Sequence, residues 1–184
     1  MSTDVTLRFA TPADVPTLVE LCALHAAYEK AAFEVDGKAA KLERALFGAS
    51  PRLYALVAEQ GGALVGYATY MLQFSTWEAE PYIYMDCLYL REAARGQGLG
   101  RRFIHKIAEN GARLGCTLIQ WQTPDFNKGA IRFYRRTGTS EKRKVRFFLD
   151  TETARASDPT PPRVMANVHP EAPPAGIDGD SDLG

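Results

Sequence analysis

The sequence has few cysteines, and their spacing excludes two common kinds of site. It contains three, Cys22, Cys87 and Cys116, and none forms a C-x-x-C pair. Neither a disulfide framework nor a zinc centre is therefore expected, and we predict no metal. Cys22 and Cys116 lie among apolar neighbours and are interpreted as core residues.

Net charge and long apolar runs are also missing. The 22 basic and 22 acidic residues balance, which argues against a nucleic-acid partner held by bulk charge. No apolar run approaches the roughly 20 residues that cross a bilayer. The first residues lack a charged-then-apolar signal pattern. We therefore expect a cytoplasmic protein with neither a nucleic-acid nor a membrane partner.

What the sequence does contain is enough apolar material for one packed domain. Its 184 residues are 46% apolar and 24% charged, as in an ordinary globular protein. Composition changes near residue 151, where prolines and glycines become frequent and the last residues turn acidic. We predict a domain over residues 1–150 and a Pro-rich, flexible C-terminal tail over residues 151–184.

Hydrophobic periodicity and turn residues predict alternating strands and helices. The predicted strands cover residues 6–9, 53–59, 63–72, 82–90, 117–122 and 145–149. The predicted helices run from Thr11 to about residue 30 and over 38–47, 99–114 and 128–137. The order β-α-α-β-β-β-α-β-α-β indicates an α/β domain whose mixed central sheet has helices on both faces.

The most informative segment is residues 95–100, RGQGLG, between a predicted strand and a predicted helix. Glycines allow close approach of the backbone to a ligand, and N–H groups at a helix start attract anions. A Walker loop would end in Gly-Lys-Ser/Thr, and a Rossmann loop would be spaced G-x-G-x-x-G after the first strand. Neither pattern fits, which leaves another kind of anion site or a glycine-rich turn without a ligand.

Arg-x-x-Gly-x-Gly between strand and helix resembles the pyrophosphate loop of the GNAT superfamily of N-acetyltransferases. The resemblance implies a GNAT-type fold and acetyl-CoA as the co-substrate. The second matching segment is residues 127–138, NKGAIRFYRRTG. In the family its Asn contacts the pantetheine arm and its Tyr protonates the leaving thiolate, which implies these roles for Asn127 and Tyr134. A buried aromatic pair without a catalytic role is the structural alternative for Phe133 and Tyr134.

The third segment is residues 84–90, YMDCLYL. In GNAT proteins this strand carries a bulge and leaves backbone N–H groups free for the acetyl carbonyl and pantetheine. Asp86 interrupts an apolar run, so we expect a buried carboxylate that is either a general base or a structurally paired group. The resemblance implies these cofactor-binding residues: Leu88, Tyr89, Leu90, Arg95, Gly96, Gln97, Gly98, Leu99, Gly100, Arg101, Asn127 and Ala130.

Within the superfamily, residues 5–149 are most similar to the diamine (spermidine/spermine) N-acetyltransferases. The match implies that Tyr28 and Glu29 bind the amine and that Asp86 replaces a Glu that deprotonates it. Two departures remove negative charge, because Cys87 replaces a second acid and Lys128 stands where the diamine enzymes have an acid. A long polyamine is therefore doubtful, whereas a smaller amine, an amino-acid side chain or an amine-bearing antibiotic remains open.

These motifs predict an enzyme that transfers an acetyl group from acetyl-CoA to a primary amine of a small molecule by direct attack in a ternary complex. Tyr134 and Asp86 are the predicted catalytic residues, and Tyr28, Glu29 and Asp86 the predicted acceptor contacts. A covalent route through Cys87 is disfavoured because no histidine partner is evident. A peptide or protein acetyltransferase and a non-catalytic CoA sensor are the alternatives. The resemblance also implies a homodimer.

Overall fold

A five-stranded mixed sheet forms the centre of the fold. The computed structural model describes residues 4–156. Its strands are β1 Val5–Phe9, β2 Tyr54–Gln60, β3 Ala63–Ser75, β4 Glu80–Leu90 and β5 Ile119–Gln120. They lie side by side in chain order. The first three pairings are antiparallel and the pairing of β4 with β5 is parallel.

Helices cover both faces of this sheet, as the sequence predicts. They are α1 Val15–Tyr28, α2 Lys38–Phe47, α3 Leu99–Arg113 and α4 Lys128–Arg135. A further helix, α5 Thr151–Ala156, belongs to a separate unit of the chain. Leu18 and Leu21 of α1 pack with Val57 and Tyr67 of the sheet. On the other face, residues of α3 such as Phe103 pack with alternate strand residues. Because neighbouring strand residues point to opposite faces, β2 and β3 contribute to both cores.

The chain entering α1 is held by an ion-pair network. Pro12–Asp14 forms a 3₁₀ turn before the helix, and Thr11 and Asp14 make a capping box. The Arg8 guanidinium donates to both carboxylate oxygens of Asp14 at 2.7 and 2.9 Å and reaches Glu59 at 2.8 Å. The hydrogen bonds from Arg8, opposed in part by burial, hold the pKa of Asp14 well below its usual range. The predicted N-cap at Thr11 thus lies one turn before the α-helix proper.

Strand β4 has two irregularities that matter for the site. Its register with β3 shifts between Thr69↔Cys87 and Tyr70↔Met85, so Asp86 is the extra residue of a β-bulge. Its pairing with β5 covers only Ile83 and Tyr84. Beyond Tyr84 the two strands separate. The bulge that the resemblance implied is therefore present, and its position is Asp86.

The predicted last strand, residues 145–149, is wrong. Residues 141–150 have no regular secondary structure, and Phe147 is 88% exposed. An apolar run becomes a strand only where a neighbouring strand completes its hydrogen bonds. The first part of the predicted tail is helical instead, since Asp150 Oδ1 accepts bonds from the N–H groups of Glu152 and Thr153 at the start of α5.

The chain divides into two compact units, Met1–Ser140 and Glu141–Gly184. This division falls ten residues before the boundary predicted at residue 150. The predicted boundary itself stays a prediction. The flexible tail predicted from residue 151 onward lies, after Ala156, outside the described residues.

Candidate active site

The free edge of β4 lies beyond the point where β5 separates. Arg91 N–H donates to Val65 O on β3 at 2.8 Å. Since the backbone groups of an antiparallel strand alternate in direction, those of Tyr89 also face β3, opposite Tyr67. Those of Leu88 and Leu90 face the opposite side, where β5 no longer pairs. The backbone groups of Leu88 and Leu90 thus lie on the free edge, whereas the Tyr89 N–H faces the sheet; that these residues bind the cofactor stays a prediction.

The glycine-rich loop leads from this edge into α3. Gly96 and Gly98 have φ angles of 78° and 75°, a conformation that side chains disfavour. A Cβ at either position would meet nothing within 4 Å, whereas a Cβ at Gly100 would lie 2.9 Å from Phe133 Cζ. The loop is therefore open towards its outer side and packed tightly against α4. The first N–H groups of α3 have no intrahelical partner and face outward with a positive dipole.

Two polar side chains secure this loop. Gln97 Nε2 donates to Ala93 O at 3.0 Å, and Arg101 Nη2 donates to Arg136 O at 3.3 Å. Leu99 is buried in the core beneath the loop. The predicted cofactor residues 95–101 thus form one continuous surface, with Leu99 serving as its anchor.

Helix α4 presents the other two predicted residues. Asn127 is its N-cap, and its Oδ1 accepts a bond from Ala130 N–H at 3.1 Å. The same Oδ1 accepts a bond from the Tyr28 hydroxyl at 3.4 Å. Asn127 is 9% exposed, and its contact with Tyr28 between α1 and α4 is partly buried.

Tyr134 lies between Trp121 and Phe133, with both ring centroids 5.1 Å away. Burial, with a further contribution from the negative charge of Glu29, raises the pKa of Tyr134 to about 12. The phenol is therefore protonated at neutral pH. It can donate a hydrogen bond or a proton.

A second group of residues comprises the end of α1 and the bulge of β4. We call Tyr28, Glu29 and Asp86 the acceptor half, and residues 95–101 with Leu88, Leu90 and Asn127 the cofactor half. Tyr28 is 46% exposed, so its ring is available to a ligand. The Glu29 side chain is 31% exposed and lies at the C-cap of α1.

The side chain of Arg95 connects the two halves. Arg95 Nε donates to Leu90 O at 3.0 Å. Its guanidinium carbon lies 4.6 Å from the centroid of Tyr28 and 5.7 Å from that of Tyr89. The sequence assigned Arg95 to the cofactor, but its guanidinium stacks on the aromatic side chains of the acceptor side.

Asp86 differs from its prediction in burial. The sequence predicts a buried carboxylate, but Asp86 is exposed because the bulge turns it out of the pleat. Cys87 Sγ contacts its Oδ2 at 3.7 Å. Burial would raise the pKa of a carboxyl group, so the exposed position removes that reason for choosing Asp86 as the base. The position of Asp86 on the bulge is the argument for it as the base that remains.

Cys87 is a protonated thiol in this environment. Burial, followed by the negative charge of Asp86, raises its pKa to about 12. A nucleophilic cysteine needs the opposite shift. The structure therefore agrees with the expectation that Cys87 forms no covalent intermediate. Cys116 is buried in the core beneath α3, and Cys22 packs against the core between α1 and the sheet, as predicted.

Two residues that sequence reasoning missed complete the acceptor side. His25 Nδ1 lies 3.1 Å from the Tyr67 hydroxyl, and His25 stacks on Tyr89 with the ring centroids 5.3 Å apart. In the sequence, His25 is the one polar member of an apolar helix stripe. Tyr67 is part of an apolar strand, and nothing in that pattern marks its hydroxyl.

The residues present fit an acyl-CoA. An open loop of left-handed glycines at a helix start suits a diphosphate, and the exposed backbone groups of Leu88 and Leu90 suit a chain of amides. No group of histidine, cysteine and acidic residues among residues 4–156 could hold a metal ion. Over the same residues, no helix is long and apolar enough to cross a membrane.

Comparisons with known proteins agree with this geometry. The sequence profile of the Acetyltransferase (GNAT) family matches residues 18–139. Thialysine N-epsilon-acetyltransferase of Bos taurus is 32% identical over 145 residues, covering 74% of this chain and 85% of the relative. Spermidine/spermine N(1)-acetyltransferase-like protein 1 of Homo sapiens is 26% identical over 139 residues, covering 72% of this chain and 20% of the relative.

Among solved structures, an aminoglycoside N-acetyltransferase in complex with CoA superposes with a TM-score of 0.69 at 15% identity, covering 82% of this chain and 97% of that chain. That likeness shows the fold alone. The family profile and the bovine relative together establish the family. This chain belongs to the GNAT family of acetyltransferases.

Proposed function

We propose that this protein transfers an acetyl group from acetyl-CoA to the side-chain amine of a small, lysine-like amino acid. The observation that carries the proposal is that the charges of Glu29, Asp86 and Arg95 all act on His25 near the end of α1. Glu29 and Asp86 supply carboxylates for an ammonium group. Arg95, stacked 4.6 Å from the Tyr28 centroid, supplies a guanidinium beside them.

Two further cations lie next in sequence to residues of this region. Lys30 follows Glu29 and lies with its Nζ 5.2 Å from the centroid of Phe126. Lys128 follows Asn127, whose Oδ1 accepts the Tyr28 hydrogen bond. A polycation would be repelled by these three side chains, whereas an amino acid carries a carboxylate that they attract. Arg in particular binds carboxylates through two parallel hydrogen bonds.

The relatives support this choice of acceptor. The bovine relative is named for thialysine, which is an amino acid with a terminal amine. The polyamine-named relative is less similar, at 26% identity. The sequence departures at Cys87 and Lys128 also lower the negative charge that a polyamine would need.

In the proposed reaction, acetyl-CoA supplies the thioester whose acetyl group the amine accepts. Residues 95–101 bind the diphosphate, and the N–H groups on the free edge of β4 orient the acyl chain. Asp86, on the bulge, takes the proton from the acceptor ammonium directly or through water. Tyr134 holds its phenolic proton towards the departing sulfur. These roles form a ternary-complex mechanism without a covalent enzyme intermediate.

Location and assembly are also proposed by resemblance. We propose that the protein works in the cytoplasm as a homodimer, as the similarity to the diamine acetyltransferases implies. Light scattering during gel filtration measures the mass in solution. A monomer over the working concentration range would reject the dimer.

The decisive experiment compares lysine with cadaverine, which has the same terminal amine but no carboxylate. CoA release is measured with both, and with thialysine, ornithine, spermidine, an aminoglycoside and a lysine peptide. A charge-assisted carboxylate contact is worth about 1.5–3 kcal/mol, or roughly 10–100-fold in kcat/KM. We expect lysine or thialysine to exceed cadaverine by that factor.

Other outcomes identify the alternatives. Preference for cadaverine or spermidine would replace the amino-acid acceptor with a polyamine. Preference for the peptide would indicate a protein acetyltransferase. Tight binding of acetyl-CoA without turnover of any acceptor would favour a non-catalytic sensor.

A further inference from the structure

A polar cluster behind the acceptor half is not used by the proposed reaction. Its centre is the Tyr67 hydroxyl, and Tyr67 is buried in the core between α1 and the sheet. The Tyr67 hydroxyl lies 3.1 Å from His25 Nδ1, and Cys22 and Cys87 pack against the core cluster that contains Tyr67. His25 in turn places its Nε2 3.5 Å from Glu29 Oε1. A chain of contacts thus leads from two buried thiols to a carboxylate of the acceptor half.

The direction of these hydrogen bonds follows from the chemistry of the groups. Burial raises the pKa of Tyr67 far above its usual range, so its hydroxyl keeps its proton. Burial likewise keeps Cys22 and Cys87 protonated. A thiol is a weak acceptor, whereas an unprotonated imidazole nitrogen is a good one. Tyr67 therefore donates to an unprotonated His25 Nδ1.

This arrangement determines the tautomer of His25. With Nδ1 accepting from Tyr67, a neutral imidazole carries its proton on Nε2. That N–H faces Glu29 Oε1 at 3.5 Å. The imidazole can thus hold the carboxylate by donation while remaining uncharged itself.

The ring of His25 also supports the aromatic wall of the site. It stacks on Tyr89 at 5.3 Å, and Tyr89 contacts Tyr28 edge-on at 6.5 Å. The Arg95 guanidinium lies over both tyrosines. His25 is therefore in contact with the residues that bear on each end of the proposed acceptor, the ammonium end at Glu29 and the carboxylate end at Arg95.

We propose that His25 is a positioning residue of the acceptor site, held by Tyr67 as the neutral Nε2–H tautomer and orienting Glu29 and Tyr89 towards the acceptor. This inference rests on the proposed function, because it assumes that the acceptor half binds an amine.

Protonation of His25 would oppose acceptor binding. Burial lowers the pKa of His25 below the ordinary value. The negative charges of Glu29 and Asp86 raise it in part, and the positive charge of Arg95 lowers it. Its neighbours Tyr67, Cys22 and Cys87 have raised pKa values because of burial, so they are uncharged near neutral pH. Above its pKa, His25 is neutral and bonded to Tyr67. Below it, Nδ1 can no longer accept from Tyr67 and must donate instead, and the imidazolium adds a cation where an ammonium should bind.

Three substitutions of His25 separate its contacts. His25→Asn keeps an acceptor near the position of Nδ1, His25→Gln extends a donor towards Glu29, and His25→Phe keeps only the stacking on Tyr89. We expect the acceptor KM to rise about ten-fold in His25→Phe, with the KM for acetyl-CoA within two-fold of the parent. His25→Gln should recover part of that loss. A charge-assisted bond of about 1.5 kcal/mol corresponds to this factor.

A second measurement does not depend on turnover. The sequence has three histidines, so the His25 imidazole can be followed by NMR and assigned with His25→Asn. Tyr67→Phe removes the donor that favours the neutral imidazole, and it should raise the pKa of His25 and shift the rise in acceptor KM to higher pH. Tyr70→Phe is the matched control, since Tyr70 is also buried on β3 but bonds to Asn110 instead.

Two results would overturn the proposal. One is an unchanged acceptor KM in all three His25 variants. The other is a His25 titration that Tyr67→Phe and Tyr70→Phe shift equally or not at all. If the parent prefers a polyamine, the proposed amino-acid acceptor is wrong. The His25 variants are then measured with the polyamine, and the NMR titration stands unaffected.

Discussion

The guanidinium of Arg95 lies over the ring of Tyr28, 4.6 Å from its centroid. Arg95 begins the glycine loop of the cofactor half, whereas Tyr28 belongs to the acceptor half. A hydrogen bond also holds the ring of Tyr28, because its hydroxyl donates to Asn127 Oδ1 at 3.4 Å. The two halves of the site therefore share side chains, and a change at their junction should affect the acceptor as well as acetyl-CoA.

Arg95→Lys tests that junction. Lysine keeps the charge but loses the planar stack and the paired donors. We expect the acceptor KM for lysine to rise about ten-fold, with a smaller change for cadaverine, since a bidentate bond to a carboxylate is worth on the order of 1.5 kcal/mol. Arg101→Lys is the control, because the Arg101 guanidinium in the same segment bonds to Arg136 O. Equal losses with lysine and cadaverine would contradict a role in carboxylate binding.

Tyr134→Phe tests the proposed proton donor. The raised pKa of about 12 keeps the phenol protonated at neutral pH, and general acids contribute roughly 100-fold or more to turnover. We expect kcat to fall by at least that factor while the dissociation constant of acetyl-CoA changes little, as measured by calorimetry. An unaltered kcat at saturating substrates would remove Tyr134 from the chemistry.

Asp86→Asn and Glu29→Gln separate the two acids of the acceptor half. Asp86 is exposed on the bulge, whereas Glu29 bonds to His25. We expect Asp86→Asn to lower kcat and abolish its acidic limb, because an amide cannot accept the ammonium proton. Glu29→Gln should raise the acceptor KM and leave that limb in place. The reverse pattern in the pH profiles of kcat would make Glu29 the base.

Local signals predicted much of this fold. The helix over residues 38–47 matches α2 in both bounds, and the glycine loop lies between β4 and α3 as expected. Such features depend on residues close in sequence, namely apolar spacing and glycines at turns. The positive φ angles of Gly96 and Gly98 confirm that the glycine pattern reports a real backbone requirement.

The misses depend on partners distant in sequence. Residues 145–149 are apolar enough for a strand, but no strand pairs with them in residues 4–156. The exposure of Asp86 results from a register shift against β3, which an alternating pattern cannot reveal. The side chains of Arg95 and His25 likewise point to partners on other elements, so their roles required coordinates.

Gly98→Ala tests the glycine loop. At a φ of 75° an alanine is strained by about 1–2 kcal/mol, and relaxing that strain turns the loop N–H groups. We expect the KM for acetyl-CoA to rise about ten-fold. Gly115→Ala is a matched control, since Gly115 has the same φ of 75° and equally open surroundings after α3. It should lose similar stability and keep its affinity. An equal KM for acetyl-CoA in the two variants would show that the glycine loop does not bind the cofactor.

Asp14→Asn tests the ion-pair network that holds the start of α1. Asp14 is 8% exposed and accepts two bonds from Arg8. Removing its charge should lower the free energy of unfolding at pH 7 by about 1–3 kcal/mol, towards the lower end because Arg8 is partly solvated. Urea unfolding of the parent and the variant measures the difference. Glu109→Gln, at an exposed ion pair with Lys106, is the control and should change little.

The pH dependence of this loss has a definite sign. The native carboxyl has a pKa well below its usual range, because Arg8 bonds to the charged form. Its stabilisation is therefore complete above the unfolded pKa of about 3.9 and is lost as the pH falls from there towards the native pKa. The difference between the parent and Asp14→Asn should be constant from pH 7 to about 5 and shrink below about 4. A difference that grows on acidification would show that the Asp14 carboxylate does not stabilise the native state through its charge.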